Sequence, residues 1–546
     1  MSVTATLARG RAIDDAACCR RSRLPGTLRR GSVDASMNSH GANRRSHVGA
    51  LILASTAAAL LGAGACGGGG TAGAGGGGGA GGTTPALTTE ELMDPQACKT
   101  CHEDHVKQWS GSMHAYAGDD PVFLAMNARG QRETNGALGD FCVKCHAPMA
   151  LRTGATKDGQ NLAELPAKLR GVTCFFCHSV DAVTGAHDNP LTLASDGVQR
   201  GGIADPIVTS AHKTGYSALH DRTTAESSSL CGSCHDIVAP LGAHLESTYT
   251  EWQATLFSHA DTRLSCGQCH MDGSSAPAAQ VTGSPIRKVH DHGFPGVDVA
   301  LTDFPETKAQ AASVQQALDT TLQAALCVKG ADSPGATIQV VLDNVGAGHL
   351  WPSGAAHDRR AWVEVQAFAA GKIIYQSGVV ADGKSITQAP DPDVWLMREC
   401  VFDKQDKQVD MFWEGATVET SQLPGPTTNV PTNPDYYLTH VFRTFPRPTS
   451  TPAALAAPPD RVTMRVRLIP VGLDVLDDLV ASGDLDAAVK AKMPVYTLAA
   501  TNLEWTAASA TIKYPEQGIP VSCVAAGLTT GANTASPAPE NTKCSP

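Results

Sequence analysis

The sequence is constrained most by one pattern, Cys-x-x-Cys-His, which occurs five times between residues 98 and 270. Two thiols at this spacing reach both vinyl groups of one porphyrin, and the adjacent histidine supplies an imidazole nitrogen to its iron. The predicted attachment residues are Cys98 and Cys101, Cys142 and Cys145, Cys174 and Cys177, Cys231 and Cys234, and Cys266 and Cys269. The predicted proximal iron ligands are His102, His146, His178, His235 and His270. The pattern therefore predicts five covalently bound c-type haems.

A zinc site or a redox dithiol is the alternative interpretation of a Cys-x-x-Cys pair. Structural zinc joins two such pairs around one ion, so an odd number of pairs leaves one pair unused. Zinc also gives no reason for a histidine directly after every second cysteine. The haem interpretation accounts for every residue of the pattern.

The composition agrees with a chain that packs around large cofactors. Only 5% of the 546 residues are aromatic, which is little for a core filled by side chains alone. Porphyrins are themselves large apolar packing units. We therefore expect the haem-bearing region to fold with haem bound, because metal sites couple binding to folding.

The acidic balance of the chain constrains its partners. Nine Arg and three Asp precede Cys66, so the formal net charge changes from −11 for the whole chain to −17 from Cys66 onward. This charge argues against nucleic acid or anionic lipid as a partner. It is compatible with basic redox partner proteins that dock by electrostatic steering.

Residues 1–65 are interpreted as an export signal. The basic pair Arg44-Arg45 precedes a run of small and apolar residues that ends just before Cys66, which is typical of a signal peptide and not of a spanning helix. Two interpretations of the cleavage stay open, namely ordinary signal cleavage and lipid attachment at Cys66, and we favour the second. Met37 is an alternative start. We expect an exported protein of the periplasm or outer membrane, with membrane contact only through the lipid anchor.

The rest of the chain is predicted to be multidomain, with a mainly helical and irregular multihaem domain followed by an antiparallel β-sandwich. Apolar and polar residues alternate over 338–342 and 462–468, which is typical of half-buried strands. The predicted segments are a Gly-rich linker at 66–87, the pentahaem domain at 88–301, a connecting helix and loop at 302–335, the β-sandwich at 336–515 and a loosely ordered tail at 516–546.

Periodicity predicts helices at 103–117, at 307–326 and at 473–493, the last with a break at Ser482-Gly483. Four cysteines lie outside the haem motifs, and in an oxidising compartment we expect one or two disulfides among them, with three connectivities open. These residues are Cys327, Cys400, Cys523 and Cys544.

The second axial ligand of each iron decides what the haem does. A second histidine makes a closed, low-spin electron carrier, whereas an open face admits a substrate. Seventeen histidines follow Cys66, and twelve of them are not proximal, so the supply is ample. The preferred distal candidates are His114, His292, His212 and His349, with His187, His220 and His290 as alternatives. His105, one turn from His102, is expected to face solvent.

Several stretches resemble the bacterial multihaem cytochrome c family that includes cytochrome c-554. They are Trp109-Ser-Gly-Ser112-Met-His114, Gly171-Val-Thr-Cys174, Leu230-Cys231-Gly-Ser-Cys234-His235-Asp236, Cys266-Gly-Gln-Cys269-His270 and the segment from His290 to Gly296. The resemblance implies that His114 is an axial ligand. The segment from Gly348 to Gly354, with the strand that begins at Arg360, resembles a C-terminal β domain attached to many such cytochromes.

Because this family includes both carriers and enzymes, the resemblance does not choose between them. We favour electron transfer through five haems, mostly bis-His ligated, between redox partners in the periplasm or outer membrane. The alternative is a multihaem reductase or oxidase of a small nitrogen or sulfur compound at one open haem. A third interpretation is a surface-binding module in which the β domain makes the contact.

Overall fold

Short helices and two-stranded ladders make up the first part of the described chain, and two large sheets make up most of the second. The computed structural model describes residues 86–528, 535–540 and 543–544. The predicted export signal, the alternative start, the lipid anchor at Cys66 and nearly all of the Gly-rich linker lie outside these residues. Within the described ranges, every helix is too short or too polar to span a bilayer.

The haem-motif region combines short helices with strands that pair only locally. Its helices in the described part are α1 (Thr89–Leu92), α2 (Pro95–Lys99), α3 (Glu103–Ser110), α4 (Met113–Tyr116), α5 (Pro121–Glu133), α6 (Val143–His146), α7 (Pro148–Arg152), α8 (Cys174–Ser179), α9 (Glu226–Gly232), α10 (Thr248–Gln253) and α11 (Cys266–His270). Its strands pair as β1 (Val180–Val183) with β2 (Leu191–Leu193), β3 (Val198–Gly201) with β4 (Lys213–Tyr216), β5 (Ile237–Val238) with β6 (His244–Leu245) and β7 (Gly273–Pro277) with β8 (Ile286–His290).

The helix predicted over 103–117 is instead two helices, α3 and α4, which separate at Gly111 and Ser112. The Ser112 hydroxyl accepts a hydrogen bond from the Ala115 amide at 3.3 Å, which caps a new helix start. A Cβ at Gly111 would lie 2.6 Å from the Cβ of Glu306, so another segment passes close to the break. The prediction of one continuous helix is wrong because the capping serine starts a second one.

The helix predicted over 307–326 ends earlier than expected. Helix α12 (Thr307–Asp319) buries Val314 and Leu318, but Leu322 already begins strand β9 (Leu322–Lys329). All three side chains enter one hydrophobic core. The four-residue spacing of Leu318 and Leu322 therefore continues across a helix–strand boundary, which is why the pattern resembled a longer helix.

Two six-stranded sheets form most of the second part. The first has the order β21 (Ile512–Glu516), β22 (Ile519–Ala526), β9, β10 (Thr337–Asn344), β17 (His440–Phe445) and β23 (Ser536–Pro537). The second has the order β12 (Lys372–Ser377), β11 (Arg360–Ala369), β18 (Arg461–Ile469) and β19 (Tyr496–Thr497), with β13 (Trp395–Met397) beside β11 and β20 (Leu503–Trp505) beside β18. A three-stranded sheet has the order β15 (Gln408–Val409), β14 (Glu399–Phe402) and β16 (Thr417–Thr420).

Side chains from both six-stranded sheets enter the same core, including Ile338 and Val340 of β10 and Val363 of β11, each fully buried. Strand β18 alternates buried and half-buried residues, which confirms the period-two prediction for 462–468. Strand β10 is buried at nearly every position because it lies between β9 and β17.

Disulfides join Cys327 to Cys523 and Cys400 to Cys544. The first links β9 to β22, two neighbouring strands in which these cysteines are directly paired. The segment 516–546, predicted to be loosely ordered, thus contributes β22 to the interior of a sheet. Although this segment is rich in Ala and Thr, every second residue at the centre of β22 is buried, namely Val521 and Cys523.

Helix α5 of the haem-motif region packs on α13 (Leu473–Ala481), which follows strand β18 and precedes α14 (Ala487–Lys490). The break predicted at Ser482-Gly483 is confirmed, since α13 ends at Ala481. Val122 of α5 and Leu476 of α13 belong to one hydrophobic cluster, and Arg129 pairs with Asp478 at 2.6 Å. The haem-motif region and the sheets therefore share a core.

Replacement of Leu476 by Ala tests this shared core. Its side chain is fully buried, so the change should lower the free energy of unfolding of the holoprotein by about 2–5 kcal/mol through lost burial and a cavity. Leu241→Ala is the matched control, because Leu241 is 42% exposed and its loss should cost less than about 1 kcal/mol. Urea unfolding followed by far-ultraviolet circular dichroism measures both, and equal losses would contradict the shared core.

Candidate haem sites

Each Cys-x-x-Cys-His motif occupies one helical turn. The amide of the motif histidine donates to the carbonyl of the first motif cysteine at 2.8 Å in the motif of His102, at 3.2 Å in that of His146 and at 3.1 Å in that of His235. Residues three and four positions apart lie on one face of a helix. Both thiols and the imidazole of a motif therefore face the same side, as attachment of one porphyrin requires.

Capping side chains start two of these turns. The Thr173 hydroxyl accepts a hydrogen bond from the Phe176 amide before α8. Ser265 and Gln268 form a reciprocal capping box before α11. The residue before the first cysteine therefore fixes where the motif turn begins.

Four of the five proximal histidines share one second contact, a hydrogen bond from Nδ1 to a backbone carbonyl of a distant segment. The bonds run from His102 to Ala278 (2.9 Å), from His146 to Ala117 (3.2 Å), from His178 to Arg200 (2.5 Å) and from His270 to Pro295 (2.7 Å). A carbonyl only accepts, so Nδ1 carries the proton and Nε2 keeps a lone pair. That lone pair is the one that a metal requires, and such second contacts orient metal-bound imidazoles.

Three of the four predicted distal histidines have the same arrangement. Their Nδ1 atoms bond to the carbonyls of Lys213 for His212 (3.1 Å), of His290 for His292 (2.9 Å) and of Leu350 for His349 (2.7 Å). His220, an alternative candidate, differs because its Nε2 contacts the Cys177 carbonyl at 2.7 Å. This use of Nε2 opposes a ligand role for His220.

The structure places three of the predicted distal histidines at nearly the same distance from a predicted proximal histidine. The ring centres of His102 and His212 are 6.3 Å apart, those of His178 and His292 are 6.4 Å apart, and those of His235 and His114 are 6.2 Å apart. An imidazole nitrogen binds a transition metal at about 2.0 Å. Two imidazoles on opposite sides of one metal ion then have ring centres about 6.3 Å apart, so these pairs fit a hexacoordinate iron.

His114 is held in place by the break between α3 and α4. Its carbonyl accepts the Val172 amide at 2.8 Å, and Trp109 donates its indole Nε1–H to the Val172 carbonyl at 2.8 Å. Gly171, with φ of 78°, lies so close that a Cβ would be 2.7 Å from the His114 carbonyl oxygen. The segment just before the third motif, Gly171 and Val172, therefore holds the turn that carries His114 in position.

His349 lies beside the fifth motif, after Gly348 at the end of the loop that follows β10. Burial lowers its pKa to about 4, and the neighbouring His270 contributes to that shift. His349 is thus near His270, and its imidazole is neutral at physiological pH.

Burial also lowers the pKa of His114 and His292, each to about 3. A neutral imidazole is the form that coordinates a metal. Protonation does not compete with iron at either side chain above pH 5.

His146 has a different environment from the other proximal histidines. Its ring stacks on Phe123 at 4.1 Å with an interplanar angle of 5°. Within the described residues, no histidine ring lies as close to it as the three pairs above. Burial raises the pKa of the Cys142 thiol to about 12, and the nearby carboxylate of Glu246 adds a smaller increase. The pKa of the Cys145 thiol is raised mainly by the neighbouring Cys234 and by burial, with Glu246 again a minor cause.

His105 was expected to face solvent, and this expectation is wrong. Its ring is half-buried, 6.1 Å from that of His102 and 4.9 Å from that of His292. His105 lies on the face of α3 that is turned toward His102 and His292, so its ring is close to both of theirs.

The sulfur atoms of different motifs touch one another, which the sequence did not indicate. With haem attached these sulfurs become thioethers, so their contacts mark how close the attachment points lie. The thiols of Cys98 and Cys174, of Cys145 and Cys234, and of Cys231 and Cys266 lie close enough to shift each other's pKa, and the Cys234 thiol contributes to the raised pKa of Cys177. All five motifs therefore belong to one connected network, and the fourth motif contacts the second, third and fifth.

Replacement of His114 by Ala should make one haem high-spin while its porphyrin stays attached, because the thioether cysteines are unchanged. His220→Ala is the matched control, since that histidine is also half-buried in the haem-motif region but uses Nε2 for a carbonyl. It should leave every spin state as in the wild type. Electron paramagnetic resonance of both oxidised variants measures this. A fully low-spin His114→Ala protein would exclude His114 as a ligand.

Comparisons with known proteins agree with this geometry. Residues 97–179 match a family model described as cytochrome c554 and c-prime, whereas no curated protein matches the chain in sequence. The fold is similar to that of a penta-haem cytochrome c552 from Thermochromatium tepidum, with a TM-score of 0.51 and 19% sequence identity over 77% of this chain and 98% of that one. Residues 97–179 are therefore similar to cytochrome c554, and the fold resembles that of a multihaem cytochrome c, in agreement with the five haem motifs.

Proposed function

We propose that the protein transfers electrons through five c-type haems, four of them with two histidine ligands. Each bound haem supplies a one-electron iron couple whose potential depends on its axial ligands. The observation that supports this function best is that attachment cysteines of all five motifs lie close enough to shift one another's pKa. Isolated catalytic haems do not require such a network, whereas electron transfer depends on short separations.

In the proposed ligand sets the proximal histidines keep the roles inferred from the motifs. The distal partners are His212 for His102, His292 for His178, His114 for His235 and His349 for His270. The chain contributes neutral imidazoles with a free Nε2. Most of these rings are held by a hydrogen bond from Nδ1 to a backbone carbonyl. Two nitrogen ligands on one iron leave no position for a substrate, so these four sites suit electron carriage.

The contacts also support an order for the network. The first motif touches the third, the third lies beside the fourth, and the fourth touches both the second and the fifth. We propose a branch at the haem of His235, with the haems of His146 and His270 on separate arms. A branch gives electrons two routes out of the haem network, which a carrier between different partners requires.

We further propose that the two six-stranded sheets form the β-sandwich expected from the sequence, since their side chains share one core. The proposed setting is outside the inner membrane, with a lipid at Cys66 as the anchor. The proposed partners are basic redox proteins, not nucleic acid, because the chain from Cys66 onward carries a net charge of −17.

A second candidate function is reduction or oxidation of a small nitrogen or sulfur compound at the haem of His146. The observation that favours it is the environment of His146, where Phe123 makes the ring contact and the carboxyl of Glu246 lies near the attachment cysteines. An iron with one histidine ligand has a face that can accept substrate.

Anaerobic stopped-flow kinetics distinguishes the two functions. Fully reduced holoprotein is mixed with an oxidised basic cytochrome, with the same cytochrome after acetylation of its lysines, or with nitrite, hydroxylamine or sulfite. An electron carrier should reduce the basic cytochrome quickly, and the rate should fall with salt and with acetylation because the attraction is electrostatic. Rapid reoxidation by one of the small compounds, with no preference for the basic cytochrome, would favour the enzyme.

A further inference from the structure

One group of metal-binding side chains lies outside the five proposed haem sites. In the described part of the chain, His187, Asp236 and His244 place one potential ligand atom each within 4.8 Å of one another. None of the three is a proximal histidine or one of the four proposed distal ligands. Two imidazoles and one carboxylate are a donor set that binds Zn²⁺ and related divalent transition ions.

Three separate segments build this group. His187 lies in the loop between β1 and β2, Asp236 directly follows the fourth haem motif, and His244 begins β6 opposite Val238 of β5. The loop is tied down because the Asp188 amide donates to the Asp236 carbonyl at 3.2 Å. The three ligands are thus brought together by the fold and not by proximity in sequence.

Asp236 is oriented as a metal-bound carboxylate would be. Its side chain is only 1% exposed. One oxygen, Oδ1, faces His187 Nδ1 at 2.8 Å, and the other, Oδ2, accepts hydrogen bonds from the Thr250 amide at 3.1 Å and the Thr250 hydroxyl at 2.5 Å. A hydrogen-bonded outer oxygen fixes a ligating carboxylate and is a usual feature of metal sites.

The spacing fits a small divalent ion. Ligand atoms bound at about 2.0–2.1 Å with angles between 90° and 109° lie about 2.9–3.3 Å apart, close to the 2.8 Å between His187 and Asp236. The wider separations therefore involve His244, whose side chain is exposed and can rotate inward without disturbing the core. Both histidines reach solvent, so the ion has a path of entry and keeps open coordination positions.

We propose that His187, Asp236 and His244 form a binding site for a divalent transition-metal ion of the zinc class, separate from the haem irons. An ion bound between His187 and Asp236 replaces the hydrogen bond that joins them, and the imidazole proton moves from Nδ1 to Nε2. It cross-links the β1–β2 loop to the β5–β6 hairpin beside the fourth haem motif.

The test uses the haem-loaded protein, first treated with a chelator and then dialysed against buffered Zn²⁺, with bound zinc measured by mass spectrometry. The variants are Asp236→Asn, His187→Ala and His244→Ala. His259→Ala is the matched control because it removes an exposed histidine that belongs to no such group. The wild type and the control should each bind one Zn²⁺, with affinity at least about tenfold higher than that of the three site variants.

Electron paramagnetic resonance of the same samples provides the second measurement. Every haem should keep its spin state in His187→Ala and His244→Ala. A new high-spin haem in either variant would make that histidine a haem ligand and would overturn the proposal. If all four variants bound zinc equally, or if the wild type bound none, the proposal would be wrong. His187 and Asp236 would then form only an ion pair, with His244 as a neighbouring histidine. If Asp236→Asn failed to fold, the two exposed histidine variants would still decide the question.

Discussion

The structure depends on a hydrogen bond that most of the candidate iron-binding imidazoles make with the peptide backbone. In four of the five proximal histidines and three of the four proposed distal ones, Nδ1 donates to a main-chain carbonyl. This bond fixes the tautomer and leaves the Nε2 lone pair free, and for the four proximal histidines it requires a distant segment to approach the motif. Loops such as those at Ala278 and Pro295 are therefore positioned by the ligand sets that they support.

Burial acts in the same direction as these hydrogen bonds. The pKa of His114, His292 and His349 lies well below the ordinary value because water is excluded from their rings. The imidazoles are then neutral and held in one orientation before a metal is present. The low aromatic content of the chain is the composition expected where bound haems occupy part of the interior.

The sequence alone predicted the attachment motifs, the change from helices to strands and four histidines that the structure places beside proximal ones. It predicted them because the chemistry of haem attachment is local, confined to one helical turn. The break after Gly111, the early end of α12 and the strand within the tail were not predicted, since each depends on contacts with a distant segment. The contacts between cysteines of different motifs, and the grouping of His187 with Asp236 and His244, are likewise long-range and leave no periodic signal.

The central claim is that five haem sites form one network with a branch at the haem of His235. Crystals of the mature holoprotein, measured at the iron absorption edge, would locate every iron by anomalous scattering. The account predicts five iron positions, with the iron of His235 next to those of His146, His178 and His270. A linear arrangement in which the irons of His146 and His270 do not both neighbour that of His235, or fewer than five irons, would contradict it.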